Sequence, residues 1–241
     1  MTTAASPEPA ATEPVEATQV WRPGSRVTRL RASHNYGAVI LAIIGEFVFI
    51  AAAPDEARAT GVLVLLQGGT LFLALWTSGL AQDRRPHIPL AGVVIAATIA
   101  VAVLATDTTE GLAALLNVGL VVATIAVLAV GVVDQGEVNV KSVTGALCIY
   151  LLLGLCFDFI YGAVAELGDG PFFANGSDGT PFERLYFSYV TLATLGYGDY
   201  TAGGTLGRSL AVAEVLVGQL FLVIAVGLLV GLLVSSRRER H

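Results

Sequence analysis

The residue types and spacing that could do chemistry are concentrated in one short run, TLGYGD, from Thr194 to Asp199. Two glycines, Gly196 and Gly198, alternate there with larger residues, and glycine adopts backbone angles that other residues avoid. Because those angles allow consecutive carbonyl groups to face the same way, the TLGYGD run can present a row of backbone oxygens on one side. Thr194 can add a hydroxyl oxygen at one end of the row. Oxygens arranged in this way can replace the hydration shell of a cation.

A short capped helix is predicted directly before this run. Thr180, Pro181 and Glu183 place a threonine at the N-cap, a proline at the first helical position and a glutamate at the third, which is a capping box. The helix that they start, residues 181–193, is roughly 20 Å long at 1.5 Å per residue and is too short to cross a membrane. The chain after it must continue as non-helical backbone at membrane depth, which is tolerated only inside protein or along a water-filled path.

The elements that must position this run are long apolar blocks. Of the 241 residues, 55% are hydrophobic and 13% are charged, which is about half the charge of a typical soluble domain. This composition excludes most soluble enzymes, nucleic-acid binders and disordered scaffolds. The blocks have about the length needed to cross a bilayer, and they lie at residues 37–53, 60–80, 88–105, 111–133, 143–166 and 207–235. We therefore predict an all-α membrane protein with six transmembrane helices.

Basic residues in the connections set the predicted topology. They lie before the first block, between the second and third, before the fifth and after the sixth, at Arg22, Arg26, Arg29, Arg31, Arg84, Arg85, Lys141, Arg237, Arg238 and Arg240. The positive-inside rule then predicts a multi-pass protein with both termini in the cytoplasm. Residues 1–36 are predicted to be a disordered and juxtamembrane tail, whose arginines could contact anionic lipid.

In this setting the TLGYGD run resembles the selectivity filter of potassium channels, and the EVLVGQL run at Glu214–Leu220 is similar to the inner helix of many small bacterial ones. The chain as a whole resembles bacterial six-transmembrane potassium channels of the two-helix pore-domain family. The resemblance implies a homotetramer with fourfold symmetry in the plasma membrane. Residues 37–134 would form a peripheral four-helix bundle, and residues 140–241 would form the pore domain, with pore helix 181–193, filter 194–199 and inner helix 207–235.

The resemblance also implies a role for individual residues. Potassium ions would be coordinated at Thr194, Leu195, Gly196 and Tyr197, with Gly198 completing the filter, and the Tyr197 side chain would pack away from the ions on the pore helix. The implied supports of the filter are Glu166, Tyr186 and Asp199, the implied gating hinge is Gly218, and the implied pore-lining gate is Val226, Val230 and Val234. Whether the Tyr186 hydroxyl braces Asp199 is left open by the sequence.

The fourth apolar block, residues 111–133, differs from the voltage sensor that a six-span layout resembles. Voltage-gated channels carry Arg or Lys at every third position there, whereas this block has none. Steep gating needs several charges per subunit in the field, so we predict a channel that a charged fourth helix does not gate. Lipid, intracellular pH and constitutive opening remain open as stimuli.

The predicted function is passive potassium conduction, which requires no covalent catalysis. The sequence contains no nucleophile–base set and no phosphate-binding loop, so we expect no enzyme activity and no cofactor other than the permeant ion. We also expect no nucleic-acid or soluble partner. Two alternatives remain, a weakly selective cation channel and a non-conducting accessory subunit of other channels.

Overall fold

Six helices make up the part of the chain that the computed structural model describes, residues 36–52, 57–78, 110–133 and 140–238. The helices are α1 (Gly37–Ala52), α2 (Ala57–Thr77), α3 (Glu110–Val133), α4 (Val140–Leu167), α5 (Pro181–Leu192) and α6 (Thr205–Arg238). Helices α3, α4 and α6 contain segments long and apolar enough to cross a membrane, which confirms a helical membrane protein. The block predicted at 88–105 and the tail before residue 36 lie outside the described residues, so the count of six spans stays a prediction.

Helices α3 and α4 form a closely packed antiparallel pair. A Cβ atom placed on Gly111 would lie 2.5 Å from Cδ2 of Leu167, and one on Gly145 would lie 2.4 Å from Cγ2 of Val132. These two contacts join opposite ends of the helices, and neither leaves room for a larger residue. The fourth predicted block, which forms α3, therefore packs directly on α4.

Helix α1 links the peripheral helices to α5, the helix before the TLGYGD run. It packs on α2, α4 and α5, and the ring of Phe47 lies 5.0 Å from the ring of Tyr189 on α5. The Tyr189 hydroxyl in turn donates to the carbonyl oxygen of Leu151 on α4. One apolar core thus continues from α1 to α5, the helix directly before the TLGYGD run.

Several polar side chains are buried among α1, α2 and α3. The Thr70 hydroxyl donates to Oε1 of Glu46 at 2.5 Å, and Gln67 and Asn117 are also buried. Gln67 lies between Val64 and Leu71, while Asn117 lies between Ala113 and Leu120; those four apolar neighbours form one cluster. The two amides are therefore placed at the α2–α3 interface. Within the described residues, Oε2 of Glu46, both polar atoms of Gln67 and Oδ1 of Asn117 have no hydrogen-bond partner.

A second core, made mostly of aromatic side chains, holds together the parts of the chain that surround α5. Its buried members are Phe157, Tyr161, Phe172, Phe173, Phe187 and Ala202. An isolated β-bridge pairs Phe173 with Ala202, and so ties the connection before α5 to the connection after the TLGYGD run. The run is consequently held between a packed helix and a packed return loop.

Candidate functional site

The start of α5 has the predicted capping box. Backbone N–H of Glu183 donates to Oγ1 of Thr180 at 3.2 Å, and backbone N–H of Thr180 donates to Oε2 of Glu183 at 2.8 Å. Pro181 occupies the first turn, where a missing N–H costs no helical hydrogen bond. The helix ends at Leu192, with Ala193 as its C-cap. The capping prediction is confirmed, and the helix is one residue shorter than predicted.

Backbone angles in the TLGYGD run alternate. Gly196 and Gly198 have φ values of 56° and 81°, and Thr194 has a φ of 59°, while the residues between them do not have positive φ. The left-handed angles expected of the two glycines are confirmed. Thr194 shares them although left-handed angles are strained for a β-branched residue, at a cost of about 1–3 kcal/mol. Every second residue is thus left-handed, which allows successive carbonyl groups to face one side.

The first residues of the run are held by the end of α5. Backbone N–H of Thr194 donates to the carbonyl oxygen of Thr191, and that of Leu195 donates to the carbonyl oxygen of Val190, both at 2.9 Å. These carbonyl groups have no partner within the helix, because they belong to its last turn. The strained Thr194 conformation is therefore stabilised by the helix that precedes it.

The outer end of the run is braced by two tyrosines. The Tyr186 hydroxyl donates to Oδ2 of Asp199 at 2.8 Å, which answers the question that the sequence left open. The Tyr200 hydroxyl donates to Oε1 of Glu183 at 2.7 Å. Glu183, identified in the sequence only as a capping residue, is thus the carboxylate that contacts Tyr200, the residue directly after the run. Glu166, for which this role was implied, lies exposed at the end of α4, and no hydrogen bond joins it to the described residues 194–200.

The tyrosine bonds also set the ionisation of these groups. The Tyr200 hydroxyl, followed by the backbone N–H of Thr180, holds the pKa of Glu183 below its ordinary value. The bond to Glu183 raises the pKa of Tyr200, and the bond to Asp199 raises the pKa of Tyr186. These hydrogen bonds are therefore most stable when the Glu183 carboxylate is charged and the hydroxyl groups of Tyr186 and Tyr200 are neutral.

Acidification is expected to lower the thermal stability of the protein through Glu183. Because its pKa is lowered in the folded state, its stabilising contribution is present above about pH 4.3, the ordinary glutamate value, and is lost as the pH falls through the folded value. We expect the unfolding temperature of the wild type to fall more steeply below that pH than that of Glu183→Gln. The exposed Glu166→Gln is the matched control. Parallel curves for wild type and Glu183→Gln would contradict the assignment.

Gly218 lies where α6 packs closely on the end of α5. A Cβ atom on Gly218 would lie 2.7 Å from Cδ1 and 3.0 Å from the carbonyl oxygen of Leu192. Helix α6 continues unbroken through this position. Close packing is therefore a sufficient reason for glycine here, and the hinge implied by the resemblance stays a prediction.

Alanine at Gly218 is expected to destabilise the protein. Overpacking costs about 1–3 kcal/mol, which outweighs the gain of up to about 1 kcal/mol in helix propensity. Gly227, on the same helix, has nothing within 4 Å of a Cβ in the subunit. Gly227→Ala should therefore show the gain in helix propensity without the overpacking cost. Thermal unfolding of the two variants tests this difference, and Leu192→Ala should relieve part of the cost at Gly218. Equal effects at both glycines would contradict the packing argument.

The residues of the implied gate lie on one face of α6. Val226 and Val230 are exposed in the single subunit, and positions four apart fall on the same side of a helix. Val234 continues that series along α6, and its side chain lies outside the described residues. The gate thus remains a prediction.

One feature of the site joins three helices and was not predicted as a unit. The carboxyl group of Glu214 on α6 is fully buried and contacts Tyr161 on α4 and Ser188 on α5. The sequence signal available for it was an acidic residue inside an apolar helix, which is a functional-site hypothesis by default. Its partners lie 53 and 26 residues away along the chain, and no local pattern indicates them.

Residues 145–235 match the family model described as an ion channel. The matched segment begins in α4 and ends in α6, so it includes α5 and the TLGYGD run but less than half of the chain. No curated protein and no solved structure significantly matches the chain. The match supports an ion channel of the pore-domain type, and points to a membrane transport protein rather than an enzyme.

Proposed function

We propose that the protein is a potassium-selective channel, formed by four copies of the chain, in which the TLGYGD run is the selectivity filter. The observation that carries the proposal is the alternation of left-handed residues at Thr194, Gly196 and Gly198, directly after a capped half-helix. Rings of backbone carbonyl oxygens replace the hydration shell of potassium in such filters. Ions would be coordinated at Thr194, Leu195, Gly196 and Tyr197.

The orientation of α5 supports cation binding at the inner end of the TLGYGD run. The last carbonyl groups of a helix carry about half a unit of negative charge in total. Because Thr194 follows the C-cap of α5 directly, this partial charge lies next to the Thr194 end of the run. A cation arriving there is therefore stabilised without any ionised side chain.

Surfaces that one subunit leaves open support assembly into a tetramer. Leu195 and Tyr197 are 57% and 67% exposed in the single subunit. Beside the run lies an open groove of about 520 Å³, lined in part by Val190, Thr191 and Ala211. A neighbouring copy could cover both surfaces. Helix α6 also exposes Val212, Leu216, Val217, Leu220, Val223 and Ile224.

The proposed channel lies in the plasma membrane with both termini in the cytoplasm, as the distribution of basic residues favours. Helix α3 contains no Lys or Arg, so this helix supplies no conventional gating charge. We propose that opening does not depend on a charged fourth helix. The arginines that could contact anionic lipid, Arg22–Arg31, lie outside the described residues.

Ion flux from liposomes that contain only the purified protein tests the proposal. We expect potassium to leave much faster than sodium, without any added soluble component. Comparable rates for the two ions would favour a weakly selective cation channel. Absence of flux both in the wild type and in a Val230→Ala variant, in which the implied apolar constriction is smaller, would favour an accessory subunit.

A further inference from the structure

Glu214 is held by the three helices that surround the TLGYGD run. Its Oε2 accepts a hydrogen bond from the Tyr161 hydroxyl at 2.5 Å, and its Oε1 lies 2.5 Å from Oγ of Ser188. All three side chains are fully buried. Neither carboxyl oxygen is among the buried atoms without a partner in the described residues.

The number of protons available to Ser188 and Glu214 decides which of them donates each hydrogen bond. Oγ of Ser188 lies 2.8 Å from the carbonyl oxygen of Gly154 as well as 2.5 Å from Glu214. A serine hydroxyl has one proton to donate, and a carbonyl group has none. Both contacts are hydrogen bonds only if Ser188 donates to Gly154 and the carboxyl group of Glu214 donates to Ser188. A protonated, neutral Glu214 therefore satisfies both contacts at once.

Among the residues that the structure describes, no cation offsets a negative charge at Glu214. The basic residue of α5, Arg184, donates to the carbonyl oxygens of Asp178 and Gly179 and interacts electrostatically with Asp158. Ionised carboxylates without a partner are costly inside a membrane protein. The titratable groups that face Glu214 are Tyr150, Cys156, Asp158 and Tyr161 from α4 and Tyr189 from α5.

The contact between Glu214 and Ser188 lies close to the start of the TLGYGD run. Ser188 lies two and three residues before Val190 and Thr191, whose carbonyl oxygens hold the first backbone N–H groups of the run. Glu214 lies one turn before Gly218, which packs against Leu192. Helix α6 thus contacts α5 twice within one turn, through a hydrogen bond and through close packing.

We propose that neutral Glu214 is a positioning residue that fixes α5, and through it the TLGYGD run, against α4 and α6. This inference rests on the proposed function, because its effect is read in potassium selectivity. Both contacts of Ser188 are present at neutral pH. Ionisation removes the proton of Glu214, so Ser188 can then donate to Glu214 or to Gly154 but not to both, and one of the two contacts is lost as the pH rises. Glutamine can replace the neutral carboxyl group, since its amide both donates and accepts.

Three full-length variants in liposomes test the inference. We expect Glu214→Gln to keep potassium selectivity and Glu214→Leu to lower it about tenfold, the effect of leaving a buried polar group unpaired. Ser188→Ala, which removes the same contact from the other side, should resemble Glu214→Leu. Raising the pH from neutral should reversibly lower selectivity in the wild type and not in Glu214→Gln. Wild-type selectivity in Glu214→Leu, or identical pH profiles for wild type and Glu214→Gln, would overturn the inference.

A readout that does not depend on conduction separates this inference from the proposed function. Infrared spectroscopy detects the carbonyl band of a protonated carboxyl group, and the band of Glu214 can be isolated in a Glu46→Gln, Asp158→Asn background. We expect the band at neutral pH and its loss on adding Glu214→Gln. A missing band would overturn the inference even if the protein conducts potassium. Absence of selective flux in the wild type would overturn the proposed function alone.

Discussion

Replacing Gly198 by alanine is expected to abolish potassium-selective flux. The φ of Gly198 is 81° and a Cβ there would meet nothing within 4 Å in its own subunit, so within that subunit the penalty comes from backbone conformation and not from a clash. A left-handed conformation costs a non-glycine residue roughly 1–2 kcal/mol, which is about 4–8 kcal/mol over four identical strands. Alanine is expected to escape this cost by turning one peptide group in each subunit, which takes the four equivalent carbonyl oxygens of one ring away from the ions.

Potassium and sodium efflux from liposomes, with assembly checked by size-exclusion chromatography, measures this effect. Gly204→Ala is the matched control, because Gly204 lies in the return loop after the run, also has open space around a Cβ and has no left-handed φ. We expect the control to behave as the wild type. Undiminished selectivity in Gly198→Ala would show that the TLGYGD run is not the selective element.

Local features of the site could be predicted from the sequence because their determinants lie within a few residues. The capping box depends on Thr180 and Glu183, three positions apart, and on hydrogen bonds that close inside one helical turn. The left-handed angles of Gly196 and Gly198 follow from a property of glycine itself. The same locality explains why the extents predicted for α5 and α6 were close to the observed helices.

Features set by packing could not be predicted in this way. Thr194 adopts a conformation that its own side chain disfavours, because carbonyl groups at the end of α5 bind the backbone around it. The bond from Tyr200 to Glu183 and the contact of Glu214 with Tyr161 join residues that are brought together only by the tertiary structure. The sequence indicated that buried acids in apolar helices need partners, and it did not indicate which partners.

The structure also relates the peripheral helices to the pore. The contact of Phe47 with Tyr189 and the α3–α4 pair place α1 and α3 directly on pore-domain helices of the same subunit. A change in the peripheral helices would reach α5 through packed side chains. In the proposed channel, this arrangement would give those helices a route to influence the pore that requires no gating charge.

Open probability is therefore expected to change little with voltage. Each elementary charge that crosses the membrane field contributes about 2.3 kcal/mol per 100 mV, so a sensor with three or four charges supplies about 7–9 kcal/mol per subunit. In α3, Glu110 at the first position is the one charged residue. Flux measured over a range of imposed potentials should thus follow the driving force on potassium alone.

Steep voltage gating would contradict this expectation and would require charge elsewhere in the field. Within the described residues, the buried acids Glu46, Asp158 and Glu214 are the candidates, and each would have to be ionised to contribute. Glu46→Gln, Asp158→Asn or Glu214→Gln would then flatten the voltage dependence. Steepness that survives all three substitutions and changes with the potassium concentration would assign the moving charge to the potassium ions in the TLGYGD run.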